Sequence, residues 1–254
     1  MNSILFLHGG SLNRGMWAQQ IEALKNDFDI HALDLLGHGQ NISKTFTLES
    51  AIDQVDTFIS NKIGNITIVV GLSLGGYVAI AYADKHPKNV SKLILSGCCI
   101  QYFGFIGFLA RLNTILLKII GKKRFESIQK KELMKITSRS VTETICNNGI
   151  SLNGGRESMS EVIGKDFVHM IKKCKAPILL INGDNDTLNR KYEARYIEVG
   201  NNLSIDPMKN CGHLCSLEKP DVFTSMVSKF ASQTYTQQDN HPEKYYSGKT
   251  RPLK

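Results

Sequence analysis

The chain has 254 residues, 42% of them hydrophobic, which is enough for one sizeable core and excludes a fibrous or wholly disordered chain. Its formal charge of +8 is local: residues 101–175 hold fourteen Lys or Arg against six acids, so the remainder is neutral overall. Such a region could meet nucleic acid, anionic lipid or an acidic substrate, but no nucleic-acid motif accompanies it, and a solvated helical surface is the preferred reading.

Residues 3–8 read as a strand, broken by His8-Gly9-Gly10. No basic lead or cleavage site precedes it, so we expect no signal peptide and a cytoplasmic protein. Gly15 to Asn26 reads as a helix with Trp17, Ile21 and Leu24 on one face. Phe28 to Leu33 is a second strand, ending in the polar turn Asp34-Leu35-Leu36-Gly37-His38-Gly39. Glu49 to Ile63 is a helix, with Ile52, Val55, Phe58, Ile59 and Ile63 at helical spacing.

The most informative stretch follows. Ile66-Thr67-Ile68-Val69-Val70 is a β-branched run, and Ala79, Ile80, Ala81 and Ala83 suit a helix. Between them lies Gly71-x-Ser73-x-Gly75. A strand turning sharply into a helix strains its central residue and leaves no room for bulk on either side. The serine hydroxyl would stand at a helix N-terminus, where negative charge is favoured. The N–H of Leu74 would face a developing oxyanion. The helix ends near His86-Pro87, and Val90 to Ser96 is the next strand. Strands alternating with helices imply a parallel sheet.

The alternation stops over 101–175, which reads as helical. Tyr102 to Ile120 is strongly apolar, but Arg111, Asn113 and Lys118 interrupt it, which argues against a membrane span. An amphipathic helix fits better, covering a cleft, packing a small helical subdomain or lying on a membrane surface; membrane contact is the less favoured of these.

Strand character resumes at Pro177 to Asn182, followed by Gly183-Asp184-Asn185-Asp186. A short helix from about Arg190 to Val199, a weak strand at 203–206 and a helix from Pro220 to Ala231 complete the order. Residues 233–254 read as a polar, disordered tail. The six cysteines (98, 99, 146, 174, 211, 215) include no Cys-x-x-Cys, so we read them as reduced thiols. Cys211-x-His213-x-Cys215 lacks a fourth ligand at a sensible spacing, and no metal is expected.

Any reactive serine needs a neighbouring base. Of seven histidines, only His213 lies in a Gly-containing loop after the last strands; His8 and His38 sit in Gly turns suited to structural hydrogen bonding. Asp184 and Asp186 both lie just past a strand end, where open α/β sheets place their sites.

Together, His8-Gly9-Gly10, Asp34 to Gly39, Gly71 to Gly76, Gly183 to Asp186 and Gly212-His213 resemble the α/β-hydrolase superfamily, in its serine-nucleophile, capped branch of esterases, lactonases and menaquinone-pathway lyases. The resemblance spans residues 1–232. It implies an α/β-hydrolase fold with a mostly parallel sheet of about six strands. The core would be residues 1–100 and 176–232, and the inserted helical cap 101–175. The family's usual two leading strands have no counterpart here. Ser73 would be the nucleophile, His213 the base and Asp186 the acid, with Asp184 shaping the turn. Gly10 and Leu74 would supply the oxyanion donors. Ser11, Trp17, Phe103 and Phe105 would line the substrate site.

That implies a hydrolase of esters or thioesters carrying a small apolar acyl or aromatic group, with no cofactor. The same triad would also serve a C–C hydrolase, a lactonase or a lyase with an anionic substrate held by Arg111, Arg124 and Arg139. A non-enzymatic ligand receptor or regulatory partner is the third reading.

Overall fold

The computed structural model describes residues 1–234. The tail expected from 233 lies, beyond Thr234, outside the described residues. Six strands form one sheet: β1 (Ser3–Leu7), β2 (Asp29–Leu33), β3 (Thr67–Leu72), β4 (Val90–Ser96), β5 (Ile178–Leu180) and β6 (Leu203–Ile205). They lie in the order β2-β1-β3-β4-β5-β6 and every neighbouring pair is parallel. The chain therefore steps outward from β1 to β2, then returns to the other side of β1 and adds the remaining strands there. That reversal opens a crevice at the carboxyl ends of β1 and β3.

The strands are nearly continuous apolar runs because both faces of the sheet are covered. Leu5, Leu7, Val69, Leu93 and Leu95 enter one core cluster; Ile4, Phe6, Ile68, Val70 and Ile94 enter the other. The helices are α1 (Ala18–Leu24), α2 (Leu48–Phe58), α3 (Leu74–Lys85), α4 (Gly104–Leu116), α5 (Lys122–Ile136), α6 (Arg139–Asn147), α7 (Leu152–Val162), α8 (Phe167–Lys173), α9 (Thr187–Val199), α10 (Cys215–Glu218) and α11 (Pro220–Ser232). Helices α2, α3, α8 and α9 supply the first cluster; α1, α5, α6 and α11 supply the second. Buried Lys92 joins β4 to the end of α11, donating to the carbonyls of Phe230, Ala231 and Gln233. A cation there meets the negative end of the helix dipole.

Several expectations shift. The helix expected over 49–63 is α-helical only to Phe58. A wider turn spans Ile59–Ile63 and stops at Gly64, whose φ of 70° is a left-handed conformation that glycine adopts freely. The insertion is wholly helical, but α8 lies against α3 and α9, with Phe167 and Ile171 in the sheet-face core. The last helix of the expected cap, 101–175, therefore packs on the sheet-face core, as do parts of α5 and α6. Trp17 does not line a site. It is fully buried, with its ring 4.9 Å from that of Phe6 and 5.9 Å from that of Phe223. It sits in a short 3₁₀ turn (Arg14–Trp17) whose Met16 and Trp17 side chains enter the core between sheet and α11.

Candidate active site

The end of β3 is shaped by close packing. A Cβ on Gly75 would lie 2.1 Å from the carbonyl oxygen of Leu7, and one on Gly71 would lie 2.3 Å from that of Gly75. No larger residue fits either place without moving backbone. The turn they permit holds Ser73 at φ 53°, ψ −114°, strained for a residue with a side chain. Ser73 donates its N–H to the Ser96 carbonyl at 2.7 Å, which ties the turn to the tip of β4.

The loop after β1 arrives beside it. A Cβ on Gly10 would lie 3.9 Å from Cβ of Leu74 and 3.7 Å from the Ser158 hydroxyl of α7. Among the described residues, no backbone carbonyl takes the N–H of Gly10 or of Leu74. Two free donors thus flank Ser73 from the tips of adjacent strands. Ser11, at φ 63°, accepts the N–H of Ser151 at 2.9 Å and places its hydroxyl against Gly155, so α7 rests on this loop.

His213 and Asp186 meet from later segments. Nδ1 of His213 lies 2.7 Å from Oδ2 of Asp186. The imidazole lies against Gly97, the residue after Ser96, whose carbonyl accepts the Ser73 N–H. Burial pushes the Asp186 carboxyl up, but the hydrogen bond and charge of His213 and two donors from Asn189 outweigh it, so its pKa is lowered. Asp184 does not join the pair. Its carboxylate accepts the N–H of Cys211 at 3.2 Å and its pKa is lowered by backbone donors, first that of Asn210. It shapes the loop that carries His213.

Three positioning residues were not anticipated. Asn189, fully buried in α9, donates to Oδ2 of Asp186 at 2.8 Å and accepts the N–H of Cys99 at 2.8 Å. Asn182 accepts the N–H of Gly97 at 2.6 Å and donates to Glu193 at 2.7 Å. Glu218 accepts the N–H groups of Gly212 and Leu214 at 2.7 and 3.3 Å, bracketing His213. Asn189, three residues after Asp186, and Glu218, six after Gly212, lie close enough in the chain to have been suspected.

His8 and His38 are buried and structural. His8 donates from Nδ1 to the Gly9 carbonyl at 2.8 Å and accepts the Leu35 N–H at Nε2 at 3.0 Å. It thereby joins the ends of β1 and β2.

The remaining expectations fare differently. Phe105 is 73% exposed and Phe103 46%. Phe105 faces outward because α4 buries its opposite side, at Gly107 and Thr114, against α7; it does not line an enclosed site. Arg111 and Arg124 are exposed, and Arg139, also exposed, is paired with Glu143 at 2.7 Å. Among the described residues no group of His, Cys, Asp and Glu could hold a metal ion.

A family model described as alpha/beta hydrolase fold matches residues 2–111. The chain is 23% identical to a pimeloyl-[acyl-carrier protein] methyl ester esterase of Nitrosospira multiformis, over 90% of this chain and 94% of that protein. It is also 23% identical to a carboxylesterase of Bacillus subtilis, over 90% and 79% of the two chains. Among solved structures, an esterase from Exiguobacterium antarcticum superposes with a TM-score of 0.79 at 18% identity, covering 92% of each chain.

Proposed function

We propose that this chain, which belongs to the α/β-hydrolase superfamily, hydrolyses carboxylic esters through an acyl-enzyme on Ser73. The carrying observation is the Asp186–His213 pair, 2.7 Å apart, packed against Gly97, one residue on from the carbonyl that holds the N–H of the strained Ser73. The names of the curated relatives support esters as the substrate class.

His213 takes the proton of Ser73 as its oxygen attacks the ester carbonyl. The carbonyl π pair moves to oxygen, and the N–H groups of Gly10 and Leu74 hold the resulting oxyanion; one such donor is worth about 10²–10³ in rate. The C–O bond to the leaving alcohol then breaks as His213 gives that oxygen the proton. Water repeats the sequence, with His213 as base, and releases the acid and free Ser73. Asp186 fixes the imidazole with Nδ1 protonated and stabilises the imidazolium. Six free thiols among the described residues support a reducing compartment, the cytoplasm.

A fluorophosphonate probe should label the protein and fail to label Ser73→Ala. Turnover of p-nitrophenyl esters should peak at one acyl length. Labelling without ester turnover would transfer the same residues to lyase, C–C hydrolase or receptor roles. A protein that takes no label has no assembled nucleophile and refutes the proposal.

A further inference from the structure

Helix α4 carries an apolar stripe that nothing among the described residues covers. Phe105, Phe108, Leu109, Leu112, Ile115 and Leu116 recur at helical spacing along it, and Ile119 continues the row in the following turn; all are exposed, Ile119 to 80%. A patch of this kind on a soluble face marks an interaction surface.

The charge around it is one-sided. Residues 104–136 hold eight Lys or Arg and two acids. Both acids are already spoken for, Glu126 by Lys122 at 3.8 Å and Glu132 by Lys135 at 2.6 Å. Among the described residues no ion pair engages Arg111, Lys118, Lys123, Arg124, Lys130 or Lys131, and all six are exposed. A second copy of this chain docking symmetrically would set like charges against each other. No helix of the described residues is long and apolar enough to cross a membrane. A helix of 13 residues, about 20 Å long, with large apolar side chains on one face and cations beside it has the form of one lying in a bilayer interface.

We propose that the outer face of α4, with the start of α5, docks this protein on an anionic phospholipid surface. The stripe enters the acyl boundary while Lys118, Lys122, Lys123 and Arg124 meet phosphate headgroups. The inner side of α4 rests on α7, where Arg156 donates to the Thr114 carbonyl at 2.9 Å, and α7 in turn lies on Ser11 and Gly10. Docking therefore leaves two helices, α4 and α7, between the lipid and the loop beside the reacting serine.

The test is co-sedimentation of the full chain, as Ser73→Ala so that hydrolysis plays no part, with phosphatidylcholine vesicles and with vesicles containing phosphatidylglycerol. Binding is expected to the anionic vesicles and to be weaker on phosphatidylcholine alone. Phe108→Asp with Ile119→Asp, and separately Lys122→Glu with Lys123→Glu, should each lower it by about tenfold or more while leaving the circular dichroism spectrum unchanged. Both pairs are exposed, so folding is spared. Anionic binding untouched by the apolar pair would reduce the effect to surface charge and overturn the proposal. Sedimentation with neither vesicle would also overturn it and leave the face to a protein partner. A dimer in analytical ultracentrifugation that the apolar pair abolishes would assign it to a second copy.

Discussion

The imidazole of His213 occupies the space where a side chain on Gly97 would stand: a Cβ there would lie 2.6 Å from Cε1 and 3.0 Å from Nδ1. Gly97 also has a φ of 63°, so both its conformation and its bareness are used. Gly97→Ala should displace the ring by a fraction of a side-chain width. We expect kcat to fall by about 100-fold, since a misplacement near 1 Å has that effect, with the far-ultraviolet spectrum retained. Wild-type kcat in that variant would mean the ring is not held by this contact.

Asp186→Asn should cost far more than its volume change suggests. An amide can present its N–H to Nδ1 and hold the wrong tautomer, and a loss of about 10⁴ in kcat is expected. Because the carboxyl is held below the usual carboxylate range, its charged form is the one stabilised. Its contribution is present above the unfolded value and is lost as pH falls through the lower folded one. The wild-type acid limb of kcat/KM above that range should therefore not follow Asp186. A pH–rate profile of wild type and variant measures this.

Asn189 acts through Asp186 and not on substrate. Asn189→Ala removes a donor from Oδ2 and leaves the Cys99 N–H without its acceptor. We expect kcat to drop by about tenfold and KM to stay within about twofold. Losing a donor also raises the Asp186 pKa toward the ordinary carboxylate value. Asn189→Asp, which keeps an acceptor for the Cys99 N–H but puts a second carboxylate beside Asp186, should lower kcat as well, whereas a residue that only filled space would tolerate it.

His8 makes stability depend on pH. Burial foremost, with the charge of His38, lowers its pKa from 6.5 to about 3 despite the Gly9 hydrogen bond. The unfolded chain then binds the extra proton between those values. Stability is complete above about pH 6.5 and declines as pH falls, by up to about 1.4 kcal/mol per unit. His38, also buried, shifts in the same direction, again chiefly through burial. Urea denaturation at pH 7 and pH 5 should differ by about 2 kcal/mol or more. The difference should shrink in His8→Gln; an unchanged slope would place the effect elsewhere.

The parts legible in the sequence were those whose signal is local. Gly71 and Gly75 flank Ser73 within one turn, and the six strands announce themselves as buried runs bounded by turns. Asp186 and Asp184 could not be separated by spacing alone; the distinction came from the resemblance, and the structure pairs Asp186 with His213. Asn182 and Gly97 were invisible because their roles are contacts between segments far apart in the chain, as is the half of the Asn189 role that reaches Cys99. Trp17 and Phe105 went opposite ways for one reason. Periodicity says which residues share a face, but not whether that face meets the sheet or the solvent: Trp17 met the sheet and Phe105 did not.

The sheet order also sets the sequence of events at the ribosome. Strands β1 to β4 emerge first, and the nucleophile turn can form with them. The open edge of β4, with Leu93, Ile94 and Leu95, pairs only later with Ile178, Leu179 and Leu180. During the interval between, the nascent chain presents that apolar edge together with the newly made stripe of α4. Slowed translation across the insertion should therefore make this protein a client of chaperones, while the charge of the basic segment, produced in the same interval, works against self-association.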